Sequence, residues 1–297
     1  MPPRRPLLEF AVMILSSLPV GGAAAQTAPE DRPAAVVRFV PERFDDLMWE
    51  NDRVAYRIYG PALQAQEPPS GSGVDVWAKR VRRPFMDRLL ASGRYHTDQG
   101  EGLDFYDVGR SRGAGGLGVW YDNKLWTSRN FRTYEIQDTG GDTARFSVDY
   151  APWPVDVGRR VWETRRFELP LGSSFTRMTS TIGSDSAEPL TVAIGISKRR
   201  NPQGQGVVTR DATRGLLAFR EPDDPGHGSL GLAILADPSQ VVGFVDDADN
   251  YLILLRVTPG QPFVYYMGTA WDRGLDFPTP EAWDAHLAAQ SPDFDPR

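Results

Sequence analysis

The chain of 297 residues has no cysteine, only three histidines, no excess of basic residues and, past its first twenty residues, no long apolar run. Each absence excludes something. Without cysteine there is no disulfide scaffold, thiolate zinc site, iron–sulfur cluster or cysteine nucleophile. With 33 basic against 39 acidic residues there is no basic footprint for nucleic acid. No Gly-x-Ser-x-Gly elbow marks a serine hydrolase. Gly113-Ala-Gly-Gly116 lacks the Lys-Ser/Thr ending of a phosphate loop. Helical periodicity is weak too. The 29 Gly and 25 Pro are about half as many again as the usual ~12%, which disfavours helix bundles and coiled coils. What is abundant is apolar and aromatic, 40% and 11% of the chain, enough for a sizeable core.

Residues 1–25 read as an export signal. Arg4 and Arg5 form a basic head, Leu7 to Val20 is mostly apolar but short for a bilayer span, and Ala23-Ala24-Ala25 matches a small-residue cleavage site. The expected location is periplasmic or secreted, in a bacterium, with no membrane association after cleavage. Residues 26–36 read as a polar linker with Pro29 and Pro33. One domain is expected over 37–297.

Past residue 36 the dominant period is two. Val54, Tyr56 and Ile58 share a face, as do Phe146, Val148 and Tyr150, and Leu190, Val192, Ile194 and Ile196. Val161 to Leu169 alternates through Glu163, Arg165 and Phe167. Gly140-Gly141 and Asp122-Asn123 read as hairpin turns. Strands spaced roughly 8–15 residues apart imply an all-β fold, a large antiparallel sandwich. The best helix is Pro280 to Gln290, with Thr279 as N-cap and Trp283 and Leu287 on one face; a short helix near Pro84 to Ala91 is also expected.

Three stretches carry a family resemblance: Met48-Trp-Glu-Asn-Asp-Arg-Val-Ala-Tyr-Arg-Ile-Tyr-Gly-Pro61, Tyr95-His-Thr-Asp-Gln-Gly-Glu-Gly-Leu-Asp-Phe-Tyr-Asp-Val-Gly109, and Arg110-Ser-Arg-Gly-Ala-Gly-Gly-Leu-Gly-Val-Trp120. Together they resemble the secreted bacterial proteins grouped as domain of unknown function 4861, over about Pro41 to Trp283. The resemblance implies a β-supersandwich like that of galactose mutarotases. It also implies an association with breakdown of pectin and other uronic-acid polysaccharides, so an acidic oligo- or polysaccharide is the expected partner. It carries no catalytic assignment.

Chemistry is densest from Tyr95 to Arg112. This stretch holds Tyr95, His96, Asp98, Glu101, Asp104, Tyr106, Asp107, Arg110 and Arg112 among many glycines, the composition of a loop lining a ligand. A uronide lyase must remove the C5 proton beside a carboxylate and expel the C4 oxygen, with a cation offsetting the carboxylate charge. His96 is the expected base, Tyr95 or Tyr106 the acid, and Arg112 or Lys198 the neutraliser, Arg being suited to planar carboxylates. A glycoside hydrolase would need paired carboxyls, for which Glu101 and Asp104 stand close in sequence. An epimerase would need one acid and one base, from His96, His227 and Glu101. A glycan-binding protein without chemistry would use the same aromatic and basic residues. His227, in Pro225-Gly-His-Gly228, reads as a pocket-rim residue and Trp271 as a sugar-stacking platform. His286 reads as a surface residue. No cofactor is expected. A divalent cation such as Ca²⁺ has its best sequence match at Asp246-Asp-Ala-Asp-Asn250, which lacks the Gly and distal Glu of a full loop and reads as a solvated turn.

Overall fold

A computed structural model describes residues 31–68, 70–199 and 204–296; the expected leader lies outside them. Five strands form an N-terminal sheet in spatial order: β1 (Val36–Val40), β2 (Asp46–Glu50), β3 (Ala55–Ile58), β4 (Val74–Lys79) and β5 (Gly102–Asp104). Two short helices, α1 (Leu63–Gln66) and α2 (Met86–Ala91), lie in its connections. Next, β6 (Ala114–Tyr121) and β7 (Lys124–Trp126) open a second five-stranded sheet. An eight-stranded sheet follows with β8 (Thr133–Asp138), β9 (Thr143–Pro154), β10 (Arg160–Pro170) and β11 (Phe175–Ser184). The chain returns to the second sheet as β12 (Leu190–Ser197), then adds β13 (Val207–Asp211), β14 (Leu216–Arg220) and β15 (Leu230–Ala236) to the eight-stranded sheet. β16 (Val241–Asp246) and β17 (Asn250–Val257) complete the second sheet. β18 (Pro262–Trp271) inserts between β15 and β11, and α3 (Pro280–Ala288) closes the chain. The result is the all-β antiparallel sandwich that the strand spacing implies.

Local chemistry accounts for the elements. Asp122 and Asn123 hold φ of 51° and 56°, the left-handed pair that a tight hairpin needs, and join β6 to β7. Thr279 caps α3 by accepting a hydrogen bond from the Ala282 amide at 3.3 Å, with Pro280 in the first turn. Trp283 and Leu287 bury the helix against Phe175 on the outer face of the eight-stranded sheet. His286, expected on the surface, packs its ring on Phe277 and Phe175. Ala35, assigned by composition to the linker, is fully buried and exchanges backbone hydrogen bonds with Gly140 and Gly141. The ordered sheet thus begins at the linker's end.

One apolar core spans all three sheets. Trp49 of β2 meets Tyr56, Phe146 and Phe167 at ring separations of 5.2–5.3 Å and donates its indole N–H to Thr176 at 3.1 Å. Tyr56 pairs its hydroxyl with Thr269 at 3.0 Å. The N-terminal sheet is therefore bolted to β11 and β18 by aromatic side chains whose polar tips are satisfied.

Behind this sheet lies a buried ionic cluster. The Arg57 guanidinium bonds Asp75 (Nε–Oδ2 3.0 Å) and Asp104 (Nη2–Oδ2 3.2 Å), and lies 3.8 Å from Asp46. All four residues are at most 4% exposed. Burial raises the Asp46 carboxyl to about 7, Arg57 opposing the shift. Burial also raises Asp75, and it raises Asp104 well above the carboxylate range with the help of Asp75's charge. A carboxyl raised in the folded state stabilises the fold when protonated. That contribution is complete below the unfolded pKa near 4 and fades as pH climbs toward the folded value, about 7 for Asp46. Urea unfolding should therefore show stability declining from pH 4 to 7, and Asp46→Asn should flatten that decline. Arg57→Met should cost about 3–5 kcal/mol at pH 7, because it strands buried carboxylates.

Candidate functional site

The loop from Glu221 to Leu230 builds a polar cluster on the surface, held by its own hydrogen bonds. Arg273 donates three hydrogen bonds to its carbonyls, those of Asp224 (3.2 Å), Pro225 (2.8 Å) and Gly226 (2.8 Å). Trp271 donates its indole N–H to the His227 carbonyl at 2.9 Å. The Asp224 carbonyl and carboxylate accept from the Gly228 and Gly226 amides at 2.8 and 2.7 Å. Gly228 is required here. Its φ is +80°, and a Cβ would press on the Asp272 carboxylate and lie 2.8 Å from the Trp271 indole nitrogen.

This frame presents His227. Its side chain is half exposed, its ring stacks on Phe105 (5.4 Å, 17°), and its Nδ1 lies 3.2 Å from the Asp224 carboxylate. A carboxylate only accepts, so Nδ1 carries a proton, and in the neutral ring Nε2 keeps the lone pair. Phe105 also approaches Trp271 at 6.5 Å and lies under the Arg199 guanidinium at 5.4 Å. Arg199 donates to the Phe105 carbonyl (2.8 Å) and to Glu221 (2.7 Å). Burial raises the Glu221 carboxyl despite this partner. Arg80 lies over Trp271 at 4.7 Å, forms an ion pair with Asp98, and keeps its Nε without a hydrogen-bond partner. Arg273 is close enough to repel it. Imidazole, aromatic wall and guanidinium groups are thus adjacent. Alongside, Lys198, Arg199, Phe219, Glu221, Asp246 and Tyr251 help to line a cavity of about 690 Å³.

Of the residues singled out in the sequence, His227, Trp271 and Lys198 belong to this region, but not all in the expected roles. Trp271 is 5% exposed and covered by Arg80, so its indole organises the loop and offers no open stacking face. Lys198 lies over Tyr251 at 5.0 Å, donates to the Asp247 carbonyl (2.8 Å) and pairs with Asp246 (3.4 Å), so its charge is already engaged.

The stretch from Tyr95 to Arg112 does not converge on one hollow. β5 belongs to the N-terminal sheet and β6 to the second, so the chain changes layers within it. Tyr95 stacks on Trp77 (5.4 Å, 11°), and Asp104 lies in the Arg57 cluster. His96 is 68% exposed and donates Nδ1–H to the Asp104 carbonyl at 2.8 Å. Glu101 lies apart, pairing with Arg83 (2.5 Å) and Arg88 (2.9 Å). A hydrolytic pair of Glu101 and Asp104 is therefore not formed. Tyr106 is 3% exposed beneath Arg199, and burial pushes its phenol above its usual range, which removes it as a proton donor to a surface ligand. Arg112 is 2% exposed and points into the sandwich interior, where it cannot neutralise a substrate carboxylate.

Sequence reasoning singles out neither Phe105 nor Asp224 nor Arg273; Arg80 stands in the basic run Arg80-Val-Arg-Arg83 and Arg199 next to Lys198. Only the Asp-x-x-His spacing at 224–227 hinted at the pairing. In the Asp246–Asn250 turn, Asp247 accepts from the Asp249 and Asn250 amides (2.8 and 2.7 Å), and Asp246 pairs with Arg210 as well as Lys198. Among the described residues no three His, Asp or Glu side chains are grouped to hold a metal ion, and no helix is long and apolar enough to cross a membrane.

Comparison with known proteins places the chain. The model of the family described as domain of unknown function (DUF4861) matches residues 19–295, and the chain belongs to that family. A protein of Formosa agariphila described as uncharacterized protein P7 is 33% identical over 267 residues, 84% of this chain. The match spans 65% of that relative's length. Among solved structures, the galactosidase domain of the α-galactosidase–sucrose kinase AgaSK aligns with a TM-score of 0.37 and 10% identity, over 79% of this chain and 42% of the other. The GH36 α-galactosidase AgaB of Geobacillus stearothermophilus gives 0.37 and 11%, over 79% and 41%.

Gly228→Ala tests the frame. It should cost about 1–3 kcal/mol in chemical unfolding. Amide exchange should accelerate locally at residues 226–229 while the sheets stay protected.

Proposed function

We propose that this member of the DUF4861 family is an exported, periplasmic or secreted protein that acts on uronic-acid-containing, pectin-like oligosaccharides by β-elimination, with His227 as the base. The observation that carries this reading is the His227–Asp224 pair. Asp224 holds the tautomer and orientation of a half-exposed imidazole whose Nε2 is the acceptor. Positive charge on the same frame comes from Arg273, whose guanidinium holds the loop carbonyls, and from Arg80 over Trp271, where a uronate carboxylate would take the place of Asp98.

In the reaction Nε2 takes the C5 proton. The C5–H electron pair becomes the C4–C5 double bond as the C4–O bond breaks, and the departing oxygen takes a proton from water at the open site. Charge accumulates on the carboxylate oxygens as the C5 proton leaves, where the guanidinium groups lower the barrier. The cavity beside Lys198 and Arg199 would accommodate a neighbouring sugar unit. His96, also exposed, engages Nδ1 with the Asp104 main-chain carbonyl and not at hydrogen-bond distance with a carboxylate, which makes it the weaker candidate.

Incubation with oligogalacturonides and alginate oligomers, followed by ultraviolet absorbance of the unsaturated product, tests the reading. His227→Ala should lower the rate about 10²–10⁴-fold, and Asp224→Asn should lower kcat more than it raises KM. His96→Ala and Tyr106→Phe should leave the rate within about twofold. A flat trace across the panel overturns β-elimination. Calorimetric binding of unaltered ligand would then favour a glycan-binding protein, and saturated products a hydrolase or epimerase.

A further inference from the structure

The sandwich interior holds two guanidinium groups for which the described structure offers one close carboxylate. Glu163 and Arg165 both face inward from β10 and are at most 1% exposed. They form a two-pronged pair, Nε–Oε1 2.7 Å and Nη2–Oε2 2.9 Å. Ser180 donates to the same Glu163 oxygen at 2.6 Å. That leaves Arg165 Nη1 buried with no partner. Arg112, two residues before β6, is buried as well and lies within electrostatic range of Arg165 and Tyr150. Its hydrogen bonds go to neutral groups, Ser72 Oγ (3.0 Å) and the Arg110 carbonyl (3.3 Å), and its Nε is buried with no partner. Tyr150, its ring 5.1 Å from the Arg165 guanidinium, has a buried hydroxyl that is likewise unpartnered.

These three groups interact with one another. Arg165 repels Arg112, and the Tyr150 phenol is coupled to both. Burial pushes Arg112 down to about 10 and Tyr150 up to about 12, so at neutral pH Arg112 is charged and Tyr150 keeps its proton. The further acids that act on Arg112 are Asp247 and Asp249, in the turn that ends at Asn250, whose side-chain oxygen accepts from the Arg112 amide. Each unpartnered atom in the set can donate, the two guanidinium nitrogens having no acceptor capacity at all, and the set carries excess positive charge. Desolvated donors of this kind are expensive unless an acceptor meets them. Water brings hydrogens that need acceptors of their own, whereas a small anion brings only acceptor capacity.

We infer that Arg112, Arg165 and Tyr150 form a buried site for one small monovalent anion, of the size and charge of chloride, between the eight-stranded and second sheets. Its role is to complete the charge balance of the sandwich interior. It does not depend on the reaction proposed at His227.

The test uses the full chain, with chloride itself as the probe. Thermal unfolding is followed while gluconate is exchanged for chloride at constant ionic strength. Tm should rise in chloride, by roughly 3–5 °C per tenfold increase above the dissociation constant. Crystals grown in bromide should show one anomalous peak among the three side chains. Tyr150→Phe, which removes one donor while keeping the ring, should weaken the chloride response several-fold. Arg112→Gln should abolish it. Equal Tm in the two salts, an undiminished response in Tyr150→Phe, or density there that refines as water with no bromide signal would each overturn the site. Should Arg112→Gln fail to fold, the salt exchange, the bromide crystals and Tyr150→Phe still decide.

Discussion

Arg57 is the charge on which the N-terminal half of the molecule depends. Asp46, Asp75 and Asp104 come from β2, β4 and β5, and all three carboxyls turn to its one guanidinium, out of reach of water. Burial raises all three carboxyls, and the charge of Asp75 raises Asp46 and Asp104 further, with Arg57 as the largest opposing influence. The consequence is positional. Asp104 anchors the end of β5, and the next residue, Phe105, emerges as the wall on which His227 stacks. A buried electrostatic compromise thus places an aromatic ring at the surface.

The loop opposite that wall is held by a different device. Backbone carbonyls of three successive residues, 224 to 226, are gathered by Arg273, and the fourth by the Trp271 indole. Both donors come from the end of β18 and its continuation, a rigid central strand of the eight-stranded sheet. A histidine on a loop is ordinarily mobile. Here the frame fixes the loop and Asp224 fixes the ring, which is the pre-organisation that proton transfer requires. The N-terminal sheet and the eight-stranded sheet each supply one side of the cluster, so the site exists only when Trp49 and Tyr56 have joined the two.

Period-two alternation made the strands legible, because a sheet packed on one face must repeat every second residue. The β6–β7 hairpin turn, the Gly140-Gly141 turn and the capped C-terminal helix were legible for the same local reasons. The site was legible only in part. Residue density pointed to Tyr95–Arg112, yet density along the chain says nothing about which layer each residue enters. Gly113, with φ of +59° and no room for a Cβ beside the Val74 carbonyl, marks where the chain crosses from one sheet to the other. That crossing sends Arg112 inward and leaves His96 outward. Glu163 and Arg165 show the converse. Their alternation with Val161 and Phe167 put them on an apolar face, and the fold buries them there as a two-pronged ion pair.

By itself the sequence determined an all-β antiparallel sandwich with a capped terminal helix, its turns, and membership in a family, since these follow from short-range periodicity, backbone preference and runs of matching residues. Which imidazole gains a carboxylate, which tryptophan is covered and which arginine is entombed were decided only by tertiary structure. Those outcomes depend on residues such as Phe105 and His227, 122 positions apart, being brought into contact. Hydrogen bonding and desolvation act through distance in space, which pattern along a chain does not encode.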